Sequence, residues 1–142
     1  MALPELTKTY AVEDVLVIVN GIPISGMAEG VKVKRSTDAF TKKIGVDGTG
    51  ARAKSPDKSG EIEITLLGTS KSNDYLNGIA ALDEITGLGV ASAMIKDLRG
   101  STNLLAECWV KKLPDLDLGL EVPAKRWLLD ATSITGAIGG NF

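Results

Sequence analysis

The sequence lacks histidine altogether and has a single cysteine, Cys108, among its 142 residues. Without histidine there is no Ser-His or Cys-His nucleophile pair, no histidine metal ligand and no histidine general base. One cysteine cannot form an intramolecular disulfide, which fits folding in a reducing cytoplasm. Because Cys108 alternates with aliphatic residues, we predict a buried thiol in the core and not a reactive one.

Aromatic residues and net charge are also scarce. Only 4% of residues are aromatic, so the core must be built from Val, Ile, Leu and Ala. A net charge of −2, from 16 basic and 18 acidic residues, argues against a nucleic-acid reader with a basic face. No apolar run approaches the roughly 20 residues that span a bilayer. Residues 1–10 lack a basic start and an apolar stretch, so we expect neither a membrane segment nor a secretory signal.

Alternating apolar residues predict a mainly β protein, which we expect to be one domain over residues 1–142. Val15–Val19 and Ile22–Ser25 flank Asn20-Gly21, a strong hairpin signal. Further strands are predicted at Val31–Arg35, Phe40–Val46, Glu61–Leu67, Val90–Leu98, Thr102–Leu113 and Lys125–Thr135. Alternation places Ile62, Ile64 and Leu66 on one face, and likewise Leu104, Ala106, Cys108 and Val110. Trp109 and Trp127 are interpreted as packing residues.

The spacing of apolar residues changes from every second residue to every third or fourth, which predicts one helix over about residues 71–86. Its apolar stripe is formed by Leu76, Ile79 and Ala80, with Asp83 one turn further on. Ser70 or Ser72 suits the N-cap, and Gly87 suits the end. Gly78 inside the helix costs about 1 kcal/mol relative to alanine, so we expect close packing there.

A long polar arm, over about residues 42–60, interrupts the strand pattern. It contains Asp47-Gly48, a strong turn signal, and four further residues unsuited to a sheet interior: Gly45, Gly50, Pro56 and Gly60. Connections much longer than about 4–6 residues tend to be functional or disordered. We predict that the arm projects from the β-domain and makes contacts elsewhere. The contact residues predicted for it are Lys42, Lys43, Asp47, Arg52, Lys54, Asp57 and Lys58.

The strands on either side of the arm carry opposite charges. If they pair about Asp47-Gly48, Lys32 faces Glu63 and Lys34 faces Glu61, so that these four residues form a charged sheet face. Pro56 and Gly60 are expected to interrupt the ladder.

Three motifs are candidate sites of chemistry, and each has a simpler interpretation. The segment GVDGTG (residues 45–50) lacks the GK[ST] ending of a phosphate loop, and no helix follows it, so we interpret it as a turn. Asp115, Asp117 and Gly119 lack the remaining ligands of a calcium loop and are interpreted as a solvated loop. The carboxylate pairs Glu61 with Glu63 and Glu107 with Asp130 fit the wet side of a sheet. We therefore expect no catalytic residue, cofactor or metal, and no enzyme.

The order of these elements resembles that of the tail tube proteins of contractile-tailed bacteriophages. The segments that carry the resemblance are VNGIPISG, KIGVDGTGARAKSPDKSGEIEITL, TSKSNDYL, KDLRGST, AECWVKKLPD and KRWLLDA. It extends over roughly Tyr10–Ala131, whereas Met1–Thr9 and Ile134–Phe142 carry no match.

The resemblance implies an antiparallel β-sandwich or half-barrel with one flanking helix and a long extended arm. It also implies that six copies form a ring, with strands joined across subunits, and that the rings stack into a tube. Expected partners are further copies of the chain, the tail sheath, baseplate and tail terminator proteins, and phage DNA passing non-specifically through the lumen. The location implied is the virion tail, assembled in the host bacterial cytoplasm.

Physical arguments support a ring and a stack independently of the resemblance. Strands that close across subunits remove the free edges of an open sheet. Stacking head to tail requires that the two ends of a subunit differ. The basic arm would suit an acidic surface on the adjoining ring. Two alternatives stay open: a small β-barrel binding module, and a tube subunit of a related tailocin or type VI-like injection system.

Overall fold

The computed structural model describes Pro4 and residues 6–142. The strands in this part of the chain are β1 (Val15–Val19), β2 (Ile22–Pro23), β3 (Met27–Arg35), β4 (Phe40–Ile44), β5 (Gly50–Lys54), β6 (Gly60–Leu67), β7 (Ala91–Asp97), β8 (Asn103–Lys112) and β9 (Ala124–Ala137). Helix α1 spans Ser72–Thr86, and a 3-10 turn spans Val12–Asp14. Seven strands form one sheet, and β4 and β5 form a separate hairpin.

The main sheet is antiparallel throughout, in the order β2-β1-β7-β8-β9-β6-β3. Seven flat strands spaced by about 4.8 Å would hold the edge strands about 29 Å apart. The chain, however, passes from β2 to β3 through only residues 24–26, a step of at most about 14 Å. The two edges must therefore approach each other, and the sheet curls into a half-barrel. This confirms the predicted fold class of a mainly β half-barrel with one helix.

One face of the curled sheet forms the core, as the alternation predicts. In β6 the inward side chains are no more than 1% exposed: Ile62, Ile64 and Leu66. Their neighbours from β8 and β9 include Cys108, fully buried, and Trp127, 2% exposed. Burial raises the pKa of the Cys108 thiol to about 11, so the thiol stays protonated at neutral pH. The prediction of a buried core cysteine is confirmed.

The register of β3 against β6 matches the prediction from the charge pattern. Lys32 lies opposite Glu63, and Lys34 lies opposite Glu61. The ion pairs nevertheless form on the other side of β6, because Lys111 Nζ is 2.7 Å from Glu61 and Arg126 Nε is 2.9 Å from Glu63. The hydrogen bond from Lys111 lowers the pKa of Glu61, with a smaller contribution from the charge of Lys34.

Helix α1 covers the core and nearly coincides with the predicted range. Leu76 is fully buried, and the Trp127 indole N–H donates to Asn73 Oδ1 at 2.9 Å. The N-cap of the helix is Lys71, which makes no side-chain cap, so the predicted serine N-cap is wrong. Ser70 lies in the turn before the helix, where its hydroxyl oxygen accepts a hydrogen bond from the Ser72 N–H at 3.2 Å. The end falls as predicted at Gly87, where φ is +71°.

The close packing predicted at Gly78 is wrong. A Cβ built there would meet no described atom within 4 Å, because the residue lies on the open side of the helix. We expect Gly78→Ala to raise the free energy of unfolding by roughly 0.5–1 kcal/mol, since alanine restricts the unfolded chain and favours helix. Urea unfolding of the subunit at low concentration measures this change. Gly87→Ala is the matched control, because it forces alanine into the left-handed region and should destabilise; a loss of stability in Gly78→Ala would contradict the argument.

The C-terminal tail is held by hydrogen bonds to its own chain. Strand β9 continues to Ala137, and the residues after it pair back onto the turn between β7 and β8. The Phe142 N–H donates to the Arg99 carbonyl at 2.7 Å, and the Gly139 N–H donates to Thr102 Oγ1 at 3.1 Å.

Candidate assembly surfaces

The arm is a two-stranded hairpin, residues 37–57, that stands apart from the main sheet. Its strands pair from Phe40 opposite Lys54 to Ile44 opposite Gly50. The connecting turn is closed by Asp47 Oδ1, which accepts a hydrogen bond from the Thr49 N–H at 3.0 Å. That bond lowers the pKa of Asp47. The segment GVDGTG is thus a hairpin turn, as predicted.

The arm begins and ends earlier than the predicted range of about 42–60. Its first strand begins at Phe40, and Gly60 already lies buried in β6. Lys58 also belongs to the main sheet, because it bridges to Ser133 in β9 and its carbonyl accepts a hydrogen bond from the Ile134 N–H at 2.9 Å. The interruption expected near Pro56 is present, since the β4–β5 ladder ends at Lys54. The interruption expected at Gly60 is wrong, because Gly60 pairs with Arg35 in the β3–β6 ladder.

Every residue of β4 and β5 is exposed. An isolated two-stranded hairpin is at best marginally stable in water, so the arm gains from any surface that covers it. Three large apolar side chains on it are open to solvent: Phe40 is 44% exposed, Ile44 59%, and Val46, at the turn, fully exposed. Sequence reasoning singled out the arm's charges and missed these apolar residues, although their positions between the lysines were visible.

One face of the arm is both cationic and apolar. Residues directly opposite each other in a hairpin share a face, so the pairing collects five side chains together: Phe40, Lys42, Ile44, Arg52 and Lys54. Lys42 lies directly opposite Arg52, an arrangement of like charges that destabilises a hairpin. The Arg52 guanidinium lies 4.3 Å from the centre of the Phe40 ring. We call this set the cationic face of the arm.

The other predicted contact residues are divided between the arm and its base. Lys43 lies on the opposite face of the hairpin, and Asp47 lies at its turn. Asp57 closes the returning segment by accepting a hydrogen bond from the Ser59 N–H at 2.9 Å. Hydrogen bonds from the Ser59 side chain and from its N–H lower the pKa of Asp57. The structure therefore places Lys42, Lys43, Asp47, Arg52 and Lys54 on the hairpin and leaves Lys58 outside it.

The main sheet has two open edges. Among the described residues, β3 pairs only with β6, so one side of this nine-residue strand has free backbone donors and acceptors. A bulge between Met27 and Gly30 interrupts its first part. At the other edge, β2 has only two residues and covers only the end of β1. Open edges of this kind are templates for pairing with another chain.

The carboxylates that the sequence offers as candidate sites of chemistry pair with cations or are exposed to solvent. Glu61 and Glu63 each pair with a cation, and Asp130 lies 3.9 Å from Lys111. Glu107 is exposed on the same charged face of the sheet. Within the described part of the chain, no three acidic or cysteine side chains lie where they could share a metal ion. No helix in that part is both long and apolar enough to cross a membrane.

Comparison with known proteins finds a matching family and a curated relative. A family model described as the bacteriophage PhiTE tail tube protein matches residues 13–139. Structural protein ORF10 of Pseudomonas phage KPP10 is 28% identical over 146 residues, an alignment that covers 95% of this chain and 84% of the relative.

Solved structures share the fold at low sequence identity. A chain in the extended sheath-tube complex of the extracellular contractile injection system PVC aligns with a TM-score of 0.58 and 13% identity, covering 94% of this chain and 93% of that one. A chain in the virion of a native gene transfer agent aligns with a TM-score of 0.56 and 9% identity, covering 90% of this chain and all of that one.

The half-barrel, its open edges and its arm thus define a structural protein of the tail tube class, as the resemblance implies. The chain belongs to the bacteriophage PhiTE tail tube protein family.

Proposed function

We propose that this chain is the repeating subunit of a phage tail tube, in which six copies form a ring and the rings stack into a tube that DNA passes through on ejection. The observation that carries the proposal is the pair of open edges on one curled sheet. Pairing the β3 edge of one copy with the β1–β2 edge of the next satisfies both sets of backbone groups. The proposed role is structural and requires no catalytic group.

The charged face of β3, β6, β8 and β9 is our candidate for the lumen surface. Its opposite face is the core, so only the charged face is free to line a channel. The cations Lys111 and Arg126 are each bonded to a carboxylate, which limits the free positive charge available to phosphates. A surface of this kind would let DNA slide past without holding it.

Stacking is assigned to the arm, through the contact residues predicted for it. Sheath, baseplate and tail terminator proteins are the proposed further partners, and the virion tail is the proposed location. The fold shared with a chain from a sheath-tube complex supports the sheath assignment. The same likeness supports an alternative use of the subunit, in a tailocin or type VI-like injection tube.

Negative-stain electron microscopy of the purified protein tests the proposal. We expect rings with sixfold symmetry or tubes built from them, because within the described part of a single copy both edges of the sheet and the arm lack partners. Size-exclusion chromatography over a range of protein concentrations is the control, because it shows whether the subunit associates as its concentration rises. A monodisperse monomer at high concentration would favour a small β-barrel binding module instead.

A further inference from the structure

The connection between β8 and β9, residues 113–123, has the sequence pattern of a strand but is not one. Leu116, Leu118, Leu120 and Val122 alternate with Asp115, Asp117, Gly119 and Glu121. The four apolar side chains are 71%, 76%, 108% and 63% exposed in that order. We call residues 113–123 the acidic loop, because it contains three carboxylates and no basic residue.

Exposed leucines in such a regular array are costly in water and indicate a surface that becomes covered. Beside them lies a largely apolar recess of about 360 Å³, whose lining includes Leu113, Leu116 and Trp127. The acidic loop therefore offers apolar contacts, a recess and negative charge side by side. Those are the complements of the cationic face of the arm.

The acidic loop and the arm lie at opposite ends of the sheet. The arm joins β6 at Gly60, and the other end of β6 is Leu67, which pairs with Ala124. Ala124 is the first residue of β9 and directly follows the acidic loop. Strand β6 has eight residues, so about 23 Å of sheet separates the two surfaces. In a single copy the arm stands apart from the main sheet, and copies stacked head to tail can bring the arm of one copy onto the acidic loop of the next.

We propose that the cationic face of the arm docks on the acidic loop of the copy in the adjoining ring. Phe40 and Ile44 pack against the exposed leucines and the recess. Lys42, Arg52 and Lys54 lie against Asp115, Asp117 and Glu121. The contact relieves the repulsion between Lys42 and Arg52, which the arm bears alone in a single copy. This inference rests on the proposed stacking of rings and names the surface that receives the arm.

Charge reversal on each side separately is the test. The arm variant carries Lys42→Glu, Arg52→Glu and Lys54→Glu, and the loop variant carries Asp115→Lys, Asp117→Lys and Glu121→Lys. Like charges then face each other at every contact between rings, so we expect the mean tube length to fall about tenfold or more in each variant. Rings should persist, and thermal unfolding should be close to wild type, because all six side chains are outside the core.

Recombining the reversals is the matched control. A chain with all six substitutions restores opposite charges at each contact, and so does an alternating stack of preformed rings of the two variants; we expect tubes to return in both cases. If wild-type protein forms tubes and either variant forms tubes of wild-type length, the docking site is wrong while the tube function stands. If the chain with all six substitutions forms no tubes, the proposed pairing of the arm with the acidic loop is also overturned. If wild-type protein forms no rings or tubes, the proposed function itself fails.

A second readout serves if a reversed variant is insoluble. The neutral loop variant Asp115→Asn, Asp117→Asn and Glu121→Gln removes the attraction without adding repulsion. We expect shorter tubes, and a tube length that depends less on salt than in wild type, because fewer ion pairs remain to be screened. An unchanged salt dependence would contradict the proposed contact.

Discussion

Replacing Ile64 with aspartate prevents the chain from folding, and replacing Val17 with aspartate has the same effect. Both side chains are 1% exposed and lie in the core cluster shared by the sheet and α1. An unpaired carboxylate buried at either site costs several kcal/mol, a large part of the roughly 5–15 kcal/mol that stabilises a domain. We expect the variants to be insoluble, or to lack a cooperative melt by circular dichroism.

Leu105→Asp is the matched control, because it makes the same chemical change on β8 at a side chain that is 52% exposed. We expect this variant to fold and to melt cooperatively. Soluble, cooperatively melting Ile64→Asp or Val17→Asp protein would show that the buried and open faces have been assigned the wrong way round.

Removing the arm abolishes stacking and leaves a folded subunit. We would replace Asp38–Asp57 with Asn-Gly, a two-residue hairpin turn that joins Thr37 to Lys58. These bounds keep Lys58, whose carbonyl bonds Ile134, and keep the hydrogen bond from the Ser36 N–H to the Ser59 carbonyl at 3.0 Å. The removed strands β4 and β5 contribute no buried side chain, so the thermal melt should stay close to wild type.

Electron microscopy measures the outcome, and rings without tubes are expected. A variant in which Asp38–Asp57 becomes a Gly/Ser linker of the same length separates chain length from side-chain contacts; it too should form no tubes. Tubes of normal length from the shortened chain would refute the role of the arm.

The elements that sequence reasoning located well are those set by local rules. Helix α1 was placed to within a residue, because its apolar stripe and terminal glycine are local signals. The register of β3 against β6 agrees with the charge pattern, although the turn at Asp47-Gly48 closes only the separate β4–β5 hairpin, whose pairing is shifted by one residue. The inward faces of β6 and β8 followed from period-2 alternation.

Features that depend on distant residues could not be obtained in this way. The strand order, the docking of Phe142 on Arg99 and the ion pairs of Glu61 and Glu63 all join segments far apart in the sequence. The acidic loop is a different case. Its alternation was visible, but the segment was interpreted only as a solvated connection, because what gives it meaning is its place at the end of the sheet opposite the arm.

A cryo-electron microscopy reconstruction of the assembled protein tests the central claim most directly. We predict that the free edge of β3 makes main-chain hydrogen bonds with a neighbouring copy in a six-membered ring, and that each arm reaches into the adjoining ring. A reconstruction of solitary particles, with the arm packed on its own sheet and the β3 edge open to solvent, would contradict the account.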